Sequence, residues 1–433
     1  MERSLTAELI RWKQSQKRKP LILEGARQVG KTYLLKDFGK NNYKNVVYVN
    51  FDNLDPDVTE LFTGALNPQR IIEFLSIKYS TVIEPGSTLI IFDEIQELPR
   101  ALNSLKYFTE DAPEYHVATA GSLLGTSLHQ QTPFPVGKVD FLKLEPLTLE
   151  EFTWAVGETE KLRYVKEDPF NTTGFTNDLI HIFKQYSIVG GMPEAVLTWV
   201  ETKDINAVDT VLRNLLNAYE NDFSKYPDNT QAQRIRNIWQ SIPSQFAKES
   251  KRFVYGVAKE GARAREYELS INWLESAGLV RKIHAVTRGD ELPLSAYKDL
   301  KNFKLYLLDI GLARIMAGLP SGEFAGSTDI FSQFNGLFAE QFVLQQLSTD
   351  YTLYYWTSGA QSEVGFVAQI AGKIIPIEVK SGDSVKAKSL AVYRKKYNPP
   401  FALRASMKPF ENNNNLINIP LYALWALERV LPQ

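Results

Sequence analysis

The chain has 433 residues, of which 44% are hydrophobic and 23% charged, a composition that predicts about two to four globular domains with cores of their own. Lys and Arg number 49 against 50 Asp and Glu, so no global basic field indicates nucleic acid, and any DNA site must be a local patch. The absence of cysteine excludes disulfides, thiolate metal sites and cysteine nucleophiles, and 4 histidines disfavour a His-rich metal site.

The sequence contains no pattern typical of export or membrane insertion. The N-terminus, Met1 to Thr6, lacks the apolar core of a signal peptide, and apolar runs such as Leu89 to Phe92 are too short to span a bilayer. We therefore expect a soluble cytoplasmic protein with no membrane partner.

An apolar strand from Leu21 leads into the pattern Gly-x-x-x-x-Gly-Lys-Thr, and a helical pattern follows at once. This is a phosphate-binding P-loop in its expected context. Gly25 and Gly30 permit positive φ, so that the backbone N–H groups can surround a polyphosphate at a helix N-terminus. Lys31 is expected to contact the β and γ phosphates of ATP, and the Thr32 hydroxyl to ligate Mg²⁺. The predicted nucleotide-binding residues of the loop are Gly25, Ala26, Arg27, Gln28, Val29, Gly30, Lys31 and Thr32.

A second apolar strand, from Ser87, ends in the carboxylates of Asp93 and Glu94 about 60 residues after the P-loop. This pattern is typical of a Walker B motif. Asp93 would hold Mg²⁺ through water, and Glu94 would polarise the water that attacks the γ-phosphorus. The alternative is a polar strand end at the surface.

The next strand, His116 to Ala120, runs into Gly121 and Ser122. The hydroxyl of Thr119 or Ser122 would lie at the strand terminus, where it could bind the γ-phosphate or the attacking water. The alternative is a turn made of small residues.

Six blocks of the sequence resemble a family of prokaryotic AAA+-type P-loop ATPases with C-terminal domains of unknown function. They are Gly25 to Thr32, Phe92 to Gln96, Leu144 to Phe152, Gly190 to Glu194, Lys304 to Leu312 and Ile377 to Gly382. The resemblance implies an α/β protein in four parts: a parallel-sheet P-loop core (1–160), a helical lid (161–226), a winged helix-turn-helix domain with a connector (227–325) and a restriction-endonuclease-like α/β domain (326–433).

One departure from the family pattern affects the nucleotide site. Members of the family usually carry Gly-Arg where this chain has Gly137 and Lys138. If that arginine acts on the γ-phosphate of a neighbouring subunit, Lys138 replaces it poorly, because an ammonium lacks the planar fork of a guanidinium. We therefore predict slow hydrolysis.

The pattern from Gln231 to Thr287 is helix, helix, helix, strand, which resembles a winged helix. A DNA interface is predicted at four cations that precede or open the last of these helices. They are Lys251, Arg252, Arg263 and Arg265. Nearby glutamates such as Glu266 and Glu268 dilute this charge, so a solvated face or a protein-docking surface is the alternative.

The last part of the chain has the layout of a restriction-endonuclease-like core, in which carboxylates and a lysine gather around Mg²⁺. The corresponding residues are Glu340, Glu378 and Lys380, a vestigial metal site. Where the fold normally carries Asp, this chain has Gly365, which offers no ligand. We predict that this domain does not cut nucleic acid and that Glu378 and Lys380 form an ion pair or a nucleic-acid contact.

These observations predict an ATPase whose nucleotide state repositions the lid relative to the winged-helix and nuclease-like domains, which bind duplex DNA or a protein. The alternatives are an ATP-bound adaptor that does not hydrolyse, and an ATP-gated metal-dependent nuclease. Glu94 distinguishes the first two, because an adaptor needs no polarising carboxylate beside Asp93. The sequence leaves the oligomeric state open.

Overall fold

A computed structural model describes residues 1–53, 55–121, 134–168, 170, 174–225, 228–246, 252–319, 336–359, 362–381 and 388–431. The chain divides into two compact units. The first consists of residues 2–145 with 276–278, and the second of residues 146–275 and 279–433 together with Met1.

The first unit is built on a five-stranded parallel sheet with the strand order β2-β3-β4-β1-β5. Its strands are β1 (Leu21–Glu24), β2 (Asn45–Asn50), β3 (Thr88–Asp93), β4 (His116–Ala120) and β5 (Asp140–Lys143). Its helices are α1 (Thr6–Gln14), α2 (Lys31–Asn42), α3 (Pro56–Leu61), α4 (Pro68–Lys78) and α5 (Pro99–Asp111).

Short apolar runs form these strands, and every residue of β3 is buried. The register pairs Asn50 with Asp93 and Asp93 with Ala120, so the carboxyl ends of β2, β3 and β4 lie at one edge of the sheet. Open parallel sheets bind ligands at this edge. β4 lies between β1, which leads into the P-loop, and β3, which ends in Asp93.

The second unit begins with helices and ends with a mixed sheet. The helices are α6 (Leu149–Ala155), α7 (Thr159–Glu167), α8 (Thr176–Val189), α9 (Pro193–Thr202), α10 (Ile205–Asp222), α11 (Asn229–Phe246), α12 (Tyr255–Ala258), α13 (Ala264–Ser276), α14 (Ile310–Met316), α15 (Leu337–Leu347), α16 (Lys388–Tyr397) and α17 (Leu427–Val430). The last residue of α13, Ser276, belongs to the short stretch 276–278 that groups with the first unit.

The strands of this unit are β6 (Val280–Val286), β7 (Lys298–Leu307), β8 (Leu353–Thr357), β9 (Glu363–Ile370), β10 (Lys373–Val379), β11 (Ala402–Ser406), β12 (Glu411–Asn413) and β13 (Leu416–Pro420). They form one sheet in the order β12-β13-β11-β10-β9-β8-β6-β7. The order α11-α12-α13-β6-β7 is the one expected for the predicted winged helix, which stays a prediction. The hairpin β6–β7 does not stand apart, however, because β6 pairs in parallel with β8.

Asp309 anchors the predicted lid helices to the C-terminal part of the second unit. Its buried carboxylate accepts hydrogen bonds from Gly191 N at 2.6 Å, Leu312 N at 3.0 Å and Gln345 Nε2 at 2.9 Å. The end of α8 and the start of α14 approach each other closely at two glycines. A Cβ on Gly190 would overlap Asp309 Oδ1, and a Cβ on Gly311 would lie 2.5 Å from Val189 O.

A buried ion pair supports the same junction. Arg314, 1% exposed, pairs with Asp209 and also donates from Nε to Ile188 O at 3.0 Å. Helices α8–α10, which belong to the predicted lid, therefore share one compact unit with the predicted winged-helix and nuclease-like parts. That nucleotide state repositions the lid relative to these parts stays a prediction.

The α/β architecture with a parallel P-loop sheet is confirmed. In the part of the chain that the structure describes, no helix combines the length and the hydrophobicity that a membrane crossing requires.

Candidate functional site

The loop between β1 and α2 is a tight turn in which several residues have positive φ. Gly25, Gln28 and Gly30 have φ values of 144°, 65° and 94°, in the region that glycine favours. A Cβ on Gly25 would overlap the Leu144 carbonyl oxygen, so no other residue fits there without movement. Gly30 precedes α2 and has no side chain that could cap the first N–H groups of the helix. These groups are available to an anion.

Lys31 is the cation of this loop and is only 6% exposed. Its ammonium donates to Gly25 O at 2.8 Å and to Ala26 O at 2.7 Å. Burial lowers the pKa of Lys31 to about 8, against the opposing effect of Glu94 and Asp93. A polyphosphate in the loop would supply the negative charge that this partly desolvated ammonium lacks.

The P-loop and the end of β3 meet at one carboxylate oxygen. Thr32 Oγ1 donates to Asp93 Oδ2 at 2.8 Å, and Tyr48 OH, from β2, donates to the same oxygen at 2.7 Å. Asp93 is 4% exposed. A hydroxyl and a carboxylate in contact offer the oxygen ligands that Mg²⁺ prefers.

Tyr48 was not predicted from the sequence. Burial raises the pKa of its hydroxyl well above the ordinary value, and the hydrogen bond to Asp93 raises it further, so the hydroxyl stays a donor. Lys36 of α2 lies 3.4 Å above the centre of the Tyr48 ring. The alternation of side chains along β2 could have predicted that Tyr48 lies on the face of the sheet covered by α2. Only the pairing of β2 with β3, however, brings Tyr48 to Asp93.

Glu94 follows Asp93 in a left-handed backbone conformation, with φ 50°. Its N–H donates to Asp93 Oδ1 at 3.2 Å, and its carboxylate accepts from Gln96 Nε2. The turn ends β3 and aims the second carboxylate away from the strand direction. Both predicted Walker B carboxylates therefore lie at the edge of the sheet that carries the P-loop.

Thr119 lies on β4 beside Phe92 of β3 and Ile22 of β1 in the register. Since side chains alternate along a strand, it shares the face of Phe92, opposite to that of Asp93. Its hydroxyl is buried without a hydrogen-bond partner. The structure thus does not bring Thr119 to Asp93, and its role as a sensor stays a prediction. Ser122 lies outside the described residues.

Lys138, which stands where family members carry arginine, is engaged within its own unit. Its ammonium lies 2.9 Å from Glu110 Oε1. Contact with a phosphate of another subunit would require this ion pair to break.

Comparison with family models finds an AAA domain over residues 17–153. This range contains the loop, Asp93 and all five strands of the parallel sheet. Residues 17–153 therefore form a P-loop domain of the AAA type. Two domains of unknown function match residues 180–323 and 335–424 of the chain.

Several solved structures resemble it weakly. The Walker-type ATPase of Pyrococcus abyssi is 14% identical, with a TM-score of 0.44, over 73% of this chain and 95% of that chain. The Aeropyrum pernix Orc1 protein in complex with DNA is 14% identical, with a TM-score of 0.31, over 73% and 92%. AMPPCP-bound DnaA from Aquifex aeolicus is 14% identical, with a TM-score of 0.27, over 63% and 87%. No curated protein matches the chain.

The predicted DNA-contacting cations lie in the second unit. Arg252, Arg263 and Arg265 are exposed, whereas Lys251 lies outside the described residues. The outer face of α13 also carries Glu268 and Leu269, which is 63% exposed. This face is mixed rather than uniformly basic.

Beside α13, a polar groove of about 570 Å³ runs between α11 and the turn before α13. Arg234, Asn237, Lys259 and Tyr267 are among the residues that line it.

The predicted nuclease-like residues do come together. Glu340 and Glu378 are 8% and 6% exposed, and Lys380 Nζ lies 2.6 Å from Glu378 Oε1. A Cβ on Gly365 would lie 3.5 Å from Glu340 Oε1, so Gly365 stands where a third ligand would be needed. Within the described ranges, no group of three or more His, Cys, Asp or Glu residues is arranged to hold a metal ion.

Proposed function

We propose that this AAA+ protein binds Mg·ATP and hydrolyses it slowly, and that the nucleotide state controls binding of DNA or a protein by the C-terminal half. The observation that carries the proposal is the contact of Thr32 Oγ1 with Asp93 Oδ2 at 2.8 Å, directly after a loop that fits a polyphosphate. The hydroxyl lies in the first turn of α2, at its open N-terminus, and the carboxylate comes from β3, 61 residues further along the sequence. Their convergence supports a site for a phosphate with its metal.

The residues present fit ATP with Mg²⁺. The N–H groups from Gly25 to Gly30 and the first turn of α2 would hold the phosphates, and Lys31 would pair with them. Thr32 and Asp93 would hold Mg²⁺, which when bound neutralises charge on the phosphate oxygens. Tyr48 would keep Asp93 oriented through the hydrogen bond at 2.7 Å.

Glu94 would orient the attacking water and accept its proton, as its position directly after Asp93 supports. Its hydrogen bond with Gln96 holds the carboxylate in place. Turnover is expected to be slow, because Lys138 is paired with Glu110 and lacks the bidentate fork of arginine.

Binding and turnover can be tested separately. Lys31→Ala is expected to abolish ATP binding in calorimetry, whereas Glu94→Gln is expected to retain the affinity and lose phosphate release. Lys40→Ala, at an exposed position of the same helix, is the control and should change neither. Unchanged ATP affinity in Lys31→Ala would contradict the assignment of the site. Turnover that persists in Glu94→Gln would contradict only the role of Glu94.

Coupling to the C-terminal half is supported by the junction at Asp309. Because α8–α10 share a compact unit with the sheet β6–β13, a displacement of these helices by nucleotide would carry the C-terminal half with it. Such a two-state element would make the affinity for a partner depend on ATP.

The DNA partner is proposed to bind at Lys251, Arg252, Arg263 and Arg265. If phosphate contacts dominate, the logarithm of the affinity should fall linearly with the logarithm of the salt concentration, with a slope of about −0.9 per contact. Reversing all four charges should abolish duplex binding in a fluorescence anisotropy titration. Equal binding by this variant and the parent would favour a protein partner at the mixed face of α13.

A further inference from the structure

A buried lysine lies inside the carboxylate cluster of the second unit. Lys304 of β7 is 1% exposed, and its Nζ lies 2.5 Å from Glu363 Oε1 and 3.6 Å from Glu340 Oε2. It also lies 4.9 Å from the centre of the Tyr355 ring. Lys304 thus forms a close ion pair with Glu363 and a longer electrostatic contact with Glu340.

Two carboxylates compensate the cost of burying the ammonium of Lys304, because Glu363 and Glu340 both lie within ion-pair distance of it. Tyr306 OH donates to Glu340 Oε2 at 2.7 Å and occupies the same oxygen from another side. A buried charge without such partners would not persist.

The arrangement does not fit a divalent metal. Glu340 and Glu363 share the positive charge of Lys304, Glu378 is paired with Lys380, and Gly365 offers no oxygen. A cation placed among these groups would face two ammonium groups at short range, which is repulsive in a medium of low dielectric constant. Lys304 comes from β7, three positions from β9 in the sheet order and separated from it by β6 and β8.

We propose that the ammonium of Lys304 is the resident cation of this cluster and holds the place that a divalent metal would take. The cluster is then a metal-free ionic core that joins β7 to β9 and α15. It becomes a divalent-cation site only when Lys304 is removed. Two independent features therefore prevent a divalent metal from binding. Gly365 supplies no ligand, and Lys304 supplies a competing positive charge.

The test is Mn²⁺ binding to the full chain without nucleotide, measured by electron paramagnetic resonance. Parent, Lys304→Met, Gly365→Asp and the double variant are compared, each with and without Glu340→Gln. Only the binding that Glu340→Gln removes is assigned to the cluster. Lys301→Met, at an exposed position of the same strand, is the control and should behave as the parent does.

We expect no Glu340-dependent Mn²⁺ binding by the parent or by Gly365→Asp. Lys304→Met should gain it, and the double variant should bind at least about tenfold more tightly than Lys304→Met, because it adds a ligand after the competing charge is gone. Glu340-dependent binding by the parent would overturn the proposal. So would Glu340-dependent binding by Gly365→Asp, or no gain in either Lys304 variant.

Lys304→Met leaves two carboxylates without their counter-ion and can fail to fold. In that case the parent and Gly365→Asp decide the question. Glu340-dependent Mn²⁺ binding by Gly365→Asp shows that a ligand alone restores the site and overturns the proposal. Absence of Glu340-dependent Mn²⁺ binding by Gly365→Asp, in which Lys304 is still present, supports the proposal.

Discussion

Removing the carboxylate of Asp309 is expected to loosen the junction between α8–α10 and the C-terminal sheet. Asp309→Ala leaves three buried donors, Gly191 N, Leu312 N and Gln345 Nε2, without their acceptor. Each unpaired buried donor costs about 1–3 kcal/mol. Part of this loss is offset, because burial raises the pKa of Asp309 and the charge is itself costly to bury. We expect a net loss of about 3–5 kcal/mol in the free energy of unfolding of the second unit.

The matched control is Asp204→Ala. Both residues cap a helix N-terminus, but Asp204 bonds only to Asn206 N in its own helix, at an exposed site. Loss of such a cap costs about 1 kcal/mol. Asp309→Asn should be intermediate, since its amide group must face at least one of the donors. Unfolding by denaturant, followed by tryptophan fluorescence, measures all three. If Asp309→Ala destabilises no more than Asp204→Ala, the bonds to Gly191 and Gln345 contribute nothing and the junction argument fails.

Three further predictions concern the first unit. Tyr48→Phe removes a hydrogen bond to Asp93 and should raise the Mg²⁺ concentration needed for half-maximal ATPase activity about threefold to tenfold. An unchanged Mg²⁺ dependence would contradict a positioning role for Tyr48. Thr119→Val removes a buried hydroxyl that has no partner, so the melting temperature should not fall; lost turnover with intact ATP binding would instead identify Thr119 as the sensor. Burial, with Arg18 and Lys13, lowers the pKa of His116 from 6.5 to about 4. The folded state therefore binds fewer protons than the unfolded state between these values. The shift corresponds to at most about 3 kcal/mol, and with screening by solvent we expect stability to fall by about 1–2 kcal/mol as the pH drops from 6.5 to 4. In His116→Gln, which lacks the titrating ring that contacts Tyr43, melting curves across this range should show a smaller pH dependence.

The features that the sequence determined are local in the chain. The strand, tight turn and helix from Leu21 to Asn42 are contiguous, and the glycines at 25 and 30 can be recognised because only certain backbone angles close that turn. Asp93 was identifiable for a similar reason, as the first polar residue at the end of an apolar strand. Gly365 is identified as a missing ligand through the resemblance to the family, in which Asp normally stands two residues after the position of Glu363.

The features that only the tertiary structure decided depend on which segments become neighbours. Strand order puts β2 beside β3, and this brings Tyr48 to Asp93 across 45 residues of sequence. Strand alternation then turns Thr119 to the face opposite Asp93, although its position near a strand end suggested a role in the site. The lid helices pack on Asp309 and Arg314, more than 100 residues away, rather than acting as a separate body. Lys304 reaches Glu363 across three neighbouring strand pairings. Such contacts have no local signature in the sequence, because many lysines and tyrosines occupy positions with the same hydrophobic pattern. Only the pairing of distant strands decides which of these side chains meets the carboxylate.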